Sequence, residues 1–396
     1  MSLLITNLGE LMTQDAEHRV LRDAAVVLEG ERISWIGPAA GAPAADESFD
    51  AGGRAGVPGW VDSHTHLVFA GDRTAEFEAR MAGELYAAGG ISVTVEATRA
   101  ATDDELTRLL LSRVEEATAG GTTYLETKTG YGLDVGHEAR SARIAAGVAD
   151  EVTFLGAHLV PRDWDADEYT DLVCGPMLDA VRPYVRWADV FCEAGAFTPE
   201  QSRRVLQACA AAGLGLRVHG NQLGPGAGTR LAVEFGAASV DHVNHLSDAD
   251  VDALGASWSG GGAGTVATCL PACDLSTRQP FPPARRLLEA GAQLALASNC
   301  NPGTSYTSSM GFCVATAVLQ MGLTVHEAVR AATFGGALAL RRHTGDDVDG
   351  RRAVGSLAVG HRADLQVLDA PSASHLAYRP GMPLVHAVWR AGVRVR

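Results

Sequence analysis

Between residues 57 and 297 the chain alternates eight short apolar stretches with segments that carry helix signals. That rhythm restricts the fold more than any other feature. Strands joined through helices pair in parallel, because each connection has to cross back over the sheet. The stretches are Val57–Ser63, Thr122–Thr127, Val152–Ala157, Trp187–Cys192, Gly215–Val218, Ala238–Asp241, Thr265–Leu270 and Gln293–Ala297. Eight such units can close on themselves, which predicts an α/β fold built as a (β/α)8 TIM-like barrel. Local chemistry marks where helices begin. Thr102 and Glu105, Thr198 and Gln201, and Thr324 and Glu327 stand at capping-box spacing, a pairing that satisfies two free N–H groups at a helix start. Gly120-Gly121 and Gly213 supply stops.

The two ends follow a different period. Leu3–Thr6, Ala25–Leu28 and Ile33–Ile36 read as short strands, the last two turning at Glu29-Gly30-Glu31. Asp364–Leu368 and Ala387–Ala391 read the same way. Both ends are therefore expected to join in one small β-sandwich domain, residues 1–56 and 355–396 flanking a barrel at 57–354. The glycine-rich run Ser259–Gly264 reads as a loop before the seventh strand.

Composition excludes several partners. The formal net charge is −15 and the basic clusters are no larger than pairs, which argues against nucleic acid. Arg285-Arg286, Arg341-Arg342 and Arg351-Arg352 read as solvated surface. No stretch reaches the ~18 apolar residues of a membrane span, and the first residues lack the pattern of a signal peptide. Seven cysteines placed singly fit reduced thiols better than a disulfide framework, and Cys269 and Cys273 read as core packing. The expectation is a cytoplasmic protein acting on a small molecule.

Asp62-Ser63-His64-Thr65-His66 follows the first apolar stretch. Side chains alternate along an extended chain, so His64 and His66 share a face and can converge on one ion. Alone, that pair is only moderately specific. Its weight comes from the other strand ends. His158, His219 and His242 close the third, fifth and sixth stretches, while Lys128, Glu193 and Asn299 close the second, fourth and eighth. Strand C-terminal ends form the face on which barrel enzymes carry their active sites. Four of eight strands ending in histidine, out of 13 histidines in the chain, is hard to assign to packing. His18, His137, His326, His343, His361, His375 and His386 sit in helix or loop contexts and are expected at the surface, as is His245. Among the loops, Arg73 offers a planar fork for a carboxylate. The run 128–133 presents Tyr131, and Asn299–Ser305 is dense in hydrogen-bonding groups.

At these residues the sequence closely resembles the imidazolonepropionase family of the amidohydrolase superfamily, its actinobacterial members most of all. The resemblance rests on PGWVDSHTHLVFAGDR, ETKTGYGLD, FLGAHLVP, RVHGNQLGPG, VDHVNH and NCNPGTSYTSS. It extends to the C-terminal GSLAVGHRADLQVLDAP and so covers essentially the whole chain. It implies hydrolysis of the cyclic amide 4-imidazolone-5-propanoate to N-formimidoyl-L-glutamate in histidine degradation. It also implies one metal ion, Zn2+ or Fe3+, held by His64, His66, His219 and Asn299. Substrate contacts map to Arg73, Tyr86, Tyr131, His158, Gln222, Asn301, Gly303 and Thr304, and the catalytic set to His242, Asn299 and Gln222. The family suggests a homodimer. The chemistry suits these residues: a bound metal lowers the pKa of water from ~15.7 towards ~7, His242 would stabilise the oxyanion, and Arg73 would clamp the propanoate tail.

The eighth strand departs from the family. The usual residue there is aspartate, which ligates the metal and shuttles the proton. Asn299 can offer its amide oxygen but cannot act as a base. A loss of roughly 10²–10⁴-fold and weaker metal retention are expected. An engineered exchange, a natural member with damped activity and an offset in the strand end would each account for it, and the matching flanks disfavour the offset. Gln222 stands where many members carry glutamate and reads as a substrate-orienting amide. Two other readings stand beside the cyclic-amide hydrolase. One is another ring-opening amidohydrolase or aminohydrolase on the same scaffold; the other is a ligand-binding variant of low activity.

Overall fold

A computed structural model describes residues 1–83, 90–260, 263–345 and 350–396. Tyr86, and Gly261 and Gly262 of the glycine-rich run, lie outside the described residues. Eight strands follow one another in a single sheet in chain order: Trp60–Asp62, Thr122–Lys128, Glu151–Ala157, Trp187–Cys192, Gly215–Gly220, Ser239–His242, Val266–Cys269 and Leu294–Leu296. Backbone bonds just past the strand ends close the ring. Asn299 N–H donates to His64 O at 3.0 Å, and His66 N–H donates to Cys300 O at 2.9 Å. The eighth strand is thereby tied to the first, and the expected (β/α)8 barrel is present.

The terminal segments build a second eight-stranded sheet from Ser2–Met12, Val20–Glu29, Arg32–Pro38, Glu47–Asp50, Ala55–Pro58, Leu365–Leu368, Val385–Arg390 and Val393–Arg394. Ile5, Leu8, Val26, Leu365, Val367 and Trp389 bury against one another there. Each such aliphatic side chain contributes about 1.5–3 kcal/mol by leaving water. By packing, the chain forms two compact units. One comprises Met1–Ser63, Glu116–Tyr124 and Ser309–Arg396; the other comprises His64–Glu115 and Leu125–Ser308.

Helix starts follow the local chemistry. Thr198 caps Pro199–Ala211 and Thr324 caps Val325–Arg330, each with the reciprocal bond from the third helical residue. Thr102 and Glu105 exchange bonds in the same way at the start of Asp103–Ala119.

Three expectations are corrected. Val57–Ser63 is not one barrel strand: Ala55–Pro58 pairs with Ser2–Met12 and Leu365–Leu368 in the small sheet, and the barrel strand starts at Trp60. The chain turns at Gly59, where a Cβ would stand 2.2 Å from Thr123 Oγ1. Arg342 is not solvated but 1% exposed; composition marks a basic pair, whereas successive residues point in different directions. Of the eight histidines expected at the surface, His18 and His326 are exposed and the other six are half-buried. His361, for example, brings Nδ1 within 2.9 Å of Ser356 Oγ.

Candidate active site

Extended backbone after Asp62 carries His64 and His66 to one face, with their Nε2 atoms 3.2 Å apart. Two imidazole nitrogens bound tetrahedrally to one ion at ~2.0–2.1 Å would stand about 3.3 Å apart. His64 Nδ1–H donates to Asp241 Oδ2 at 2.7 Å, and His219 Nδ1 lies 2.9 Å from Asp189 Oδ2. Both histidines therefore turn Nε2 away from their carboxylate partners. The ring centroids of His64 and His219 are 4.5 Å apart, those of His219 and His242 5.3 Å. One ligand atom from each of His64, His219 and His242 lies within 4.8 Å of the others. His66 joins this group through its Nε2 contact to His64.

These side chains fit a cation. Asn299 Oδ1 is buried without a hydrogen-bond partner among the described residues, and leaving a buried polar atom unsatisfied costs ~1–3 kcal/mol. Burial, and then the nearby Lys128, holds His64 well below its ordinary pKa. Burial, and then neighbouring imidazoles, does the same to His66 and His242. Neutral imidazole is the form that binds metal.

Beneath the histidines lies a layer of charge. Lys128 Nζ is 3.0 Å from Asp189 Oδ2 and 3.1 Å from Glu126 Oε1, and Arg217 Nη2 is 3.0 Å from Asp241 Oδ2; all five side chains are wholly buried. Burial alone would raise both aspartates. Arg217 and His64 hold Asp241 well below the usual carboxylate range, and His219 and Lys128 do the same for Asp189. Carboxylates in this position fix the tautomer and direction of a metal-ligating histidine.

Above the histidines a pocket opens to solvent, with Arg73, Tyr131, His158, Phe191, Gln222, His242, Asn299, Asn301 and Thr304 in its wall. Arg73 forks onto Glu76, with Nε at 2.8 Å and Nη2 at 2.7 Å. Its Nη1 rests against Gly303, where a Cβ would stand only 2.3 Å away. His158 Nδ1–H donates to Gly130 O at 2.9 Å, and burial brings its pKa down to about 4. The ring is thus neutral, and Nε2 is left as an acceptor. Gln222 N–H donates to Glu193 Oε1 at 2.5 Å. Burial pushes the Glu193 carboxyl up, and the Gln222 and Leu223 amides oppose it. Asn301 spends its amide on its own loop: Oδ1 accepts from the Gly303 and Thr304 amides at 2.8 and 2.9 Å, and Nδ2 donates to Asn299 O at 2.6 Å. His245 is half-buried, with Nε2 3.4 Å from Gln279 Oε1.

Several residues here escaped the sequence reading. Glu126, Asp189, Arg217 and Asp241 are charges inside apolar strands, and Glu126 with Lys128 and Arg217 with His219 share a face through the two-residue period. That signal was present. Asp274 and Cys273, on the helix Pro271–Thr277, each bring a ligand atom within 4.8 Å of one on His242, and nothing in their local sequence announces it. Burial pushes the Asp274 carboxyl well up, opposed by Asn244, whose Nδ2 donates to Oδ1 at 2.7 Å. The backbone also bends at strand ends: Asn221, His242, Val243 and Asn299 adopt φ of 58, 86, 54 and 52°, a region that costs a non-glycine residue roughly 1–3 kcal/mol.

Comparison with known proteins identifies the family. A model of the amidohydrolase family matches residues 191–395. The chain is 78% identical to an imidazolonepropionase of Arthrobacter sp. (strain FB24), with all of both chains covered, and 75% identical to one of Paenarthrobacter aurescens (strain TC1), covering 100% of this chain and 98% of that one. In fold it is similar to a zinc-complexed atrazine chlorohydrolase of Arthrobacter aurescens TC1, at 17% identity and a TM-score of 0.72, covering 99% of this chain and 94% of the other. Full-length identity at that level, over a barrel whose strand ends gather four imidazoles, settles kinship: the chain belongs to the imidazolonepropionase family of amidohydrolases.

Proposed function

We propose that this chain hydrolyses 4-imidazolone-5-propanoate to N-formimidoyl-L-glutamate, using one metal ion held by His64, His66, His219 and Asn299. The observation that carries the reading is the meeting of the imidazoles, with Nε2 atoms of His64 and His66 3.2 Å apart and two buried carboxylates orienting His64 and His219. An ion there supplies Lewis acidity and brings a water's pKa towards neutrality. Three imidazoles and an oxygen suit zinc or iron, and the zinc named for the atrazine chlorohydrolase supports the former.

In the reaction, water's oxygen bonds to the ring carbonyl carbon, the carbon–nitrogen bond breaks and a proton ends on the leaving nitrogen. Arg73 binds the propanoate carboxylate through donors that Glu76 leaves free, and Gly303 admits the guanidinium by lacking a side chain. His158 accepts from a ring N–H through Nε2. Gln222 orients the ring, Tyr131 and Thr304 shape the pocket, Asn301 holds the loop that carries Gly303, and Tyr86 enters through the family resemblance. His242 donates to the oxygen as negative charge develops. The resemblance also supports a homodimer, and the singly placed cysteines support a cytoplasmic location.

Asn299 favours a second reading, a member of the family with damped turnover, because an amide cannot relay the proton. Turnover and metal content of the chain beside Asn299→Asp decide both. The aspartate variant is expected to gain roughly 10²–10⁴-fold in kcat and to hold metal more tightly. A fully metallated aspartate variant without turnover would end the hydrolase reading, and equal rates in the two chains would end the damped one.

A further inference from the structure

We propose that Asp274 is a positioning residue for His242: its carboxyl engages Nδ1 of the imidazole and so aims Nε2 at the reaction centre. The inference rests on the hydrolase reading and deepens it.

Three facts point the same way. His242, Cys273 and Asp274 are 2%, 1% and 1% exposed, with one ligand atom of each within 4.8 Å of the others. His242 Nδ1 and Asp274 Oδ2 are both buried without a hydrogen-bond partner among the described residues. Native proteins rarely leave two such buried atoms in one cluster unused. The carboxyl is also held from its other end: Oδ1 accepts from Asn244 Nδ2 at 2.7 Å, and that amide donates again to Pro280 O at 2.8 Å. Bonds of this kind are often long without substrate and tighten in the complex.

The direction of the bond follows from the surroundings. Oδ1 is taken by the Asn244 amide, which leaves Oδ2 for Nδ1, and burial, which pushes the carboxyl well up, favours the form whose O–H donates there. His242 then keeps its one hydrogen on Nε2, where it can donate to the oxyanion. No proton changes hands in this role. The orientation matters more here because Asn299 brings no charge or base to the same space. The alternative use of the trio is a second metal site, but burial, and then Asp274, pushes the Cys273 thiol up to about 12, which opposes the thiolate a metal would take.

The test measures kcat, KM and metal content for the chain, Asp274→Ala and Asp274→Asn, each also in a His242→Ala background. Asp274→Ala should lower kcat about 10–100-fold, part of the roughly 10²–10³ that one oxyanion donor supplies, with KM and metal content held. Asp274→Asn, whose amide also donates, should recover most of that loss. Once His242 is alanine, Asp274→Ala should cost nothing more. Histidine 15N resonances of the unaltered chain, with His242→Ala giving the assignment, read the tautomer without depending on how the Asp274 variants fold: hydrogen on Nε2 supports the proposal, hydrogen on Nδ1 overturns it. An undiminished kcat in Asp274→Ala, an asparagine as damaging as alanine, an undiminished effect in the His242→Ala background, or two ions per chain would each overturn it too. Absence of turnover in every fully metallated chain would sink the hydrolase reading, while the tautomer would still decide this one.

Discussion

Removing one side chain from the buried ionic layer strands the others. Lys128 meets Glu126, Asp189 and, at 3.8 Å, Asp241, with no solvent to take its place. In Lys128→Met the Arg217–Asp241 pair stays, while Glu126 and Asp189 lose their cation. Breaking a buried ion pair from one side costs about 3–5 kcal/mol, and disturbing the group that orients a metal-ligating histidine costs about 10–100-fold in metal affinity. Urea unfolding and metal titration of that variant should show both losses together. An unaltered unfolding midpoint would mean that the layer is a bystander. At this scale the sequence was informative wherever chemistry coincided with a strand end: His64, His66, His158, His219 and His242 stood out because imidazole is uncommon there. Asp274 did not, because an aspartate in the first turn of a helix is ordinary and its neighbour His242 is 32 residues earlier in the chain.

Single elements were predictable where the determining interactions are local. The helix Pro199–Ala211 begins at a reciprocal cap and buries Val205, Leu206 and Cys209, all readable from one segment. Thr198→Ala removes the acceptor of the Gln201 amide and should cost about 0.5–2 kcal/mol of stability with kcat unaltered. Thermal unfolding beside an activity assay checks this, and a loss of turnover matching the loss of stability would contradict it. Boundaries decided by distant partners were not readable. Whether Val57 belongs to the barrel or to the small sheet depends on Gln366, its partner in register, and no local pattern distinguishes the two. The same limit hid the inward turn of Arg342. The first strand and its His-x-His motif were visible; the point where the chain changes sheets was not.

For the molecule as a whole, the neutral imidazoles set an acid limit. Histidine in an unfolded chain takes up a proton near pH 6.5, whereas half-buried His158 does so at about 4 and His64, His66 and His242 also titrate below their ordinary value. Between those values the unfolded chain binds more protons, so stability falls as pH drops from about 6.5 towards 4. The urea midpoint of the metal-free chain should decline across that window, and a metal at 100 times its Kd should raise stability by about 2.7 kcal/mol at neutral pH. A midpoint flat from about pH 7 to 4.5 would contradict this. The charge of −15 is another matter. Exposed pairs such as Arg203–Glu234 and Arg204–Asp171 meet dissolved ions, which damp their attraction over about 8 Å at physiological salt. The Lys128 layer meets none. The charges that keep the molecule dispersed and those that ready it for chemistry are therefore insulated from each other, so the outer shell can drift with the salinity of a habitat while the reaction inside proceeds as before.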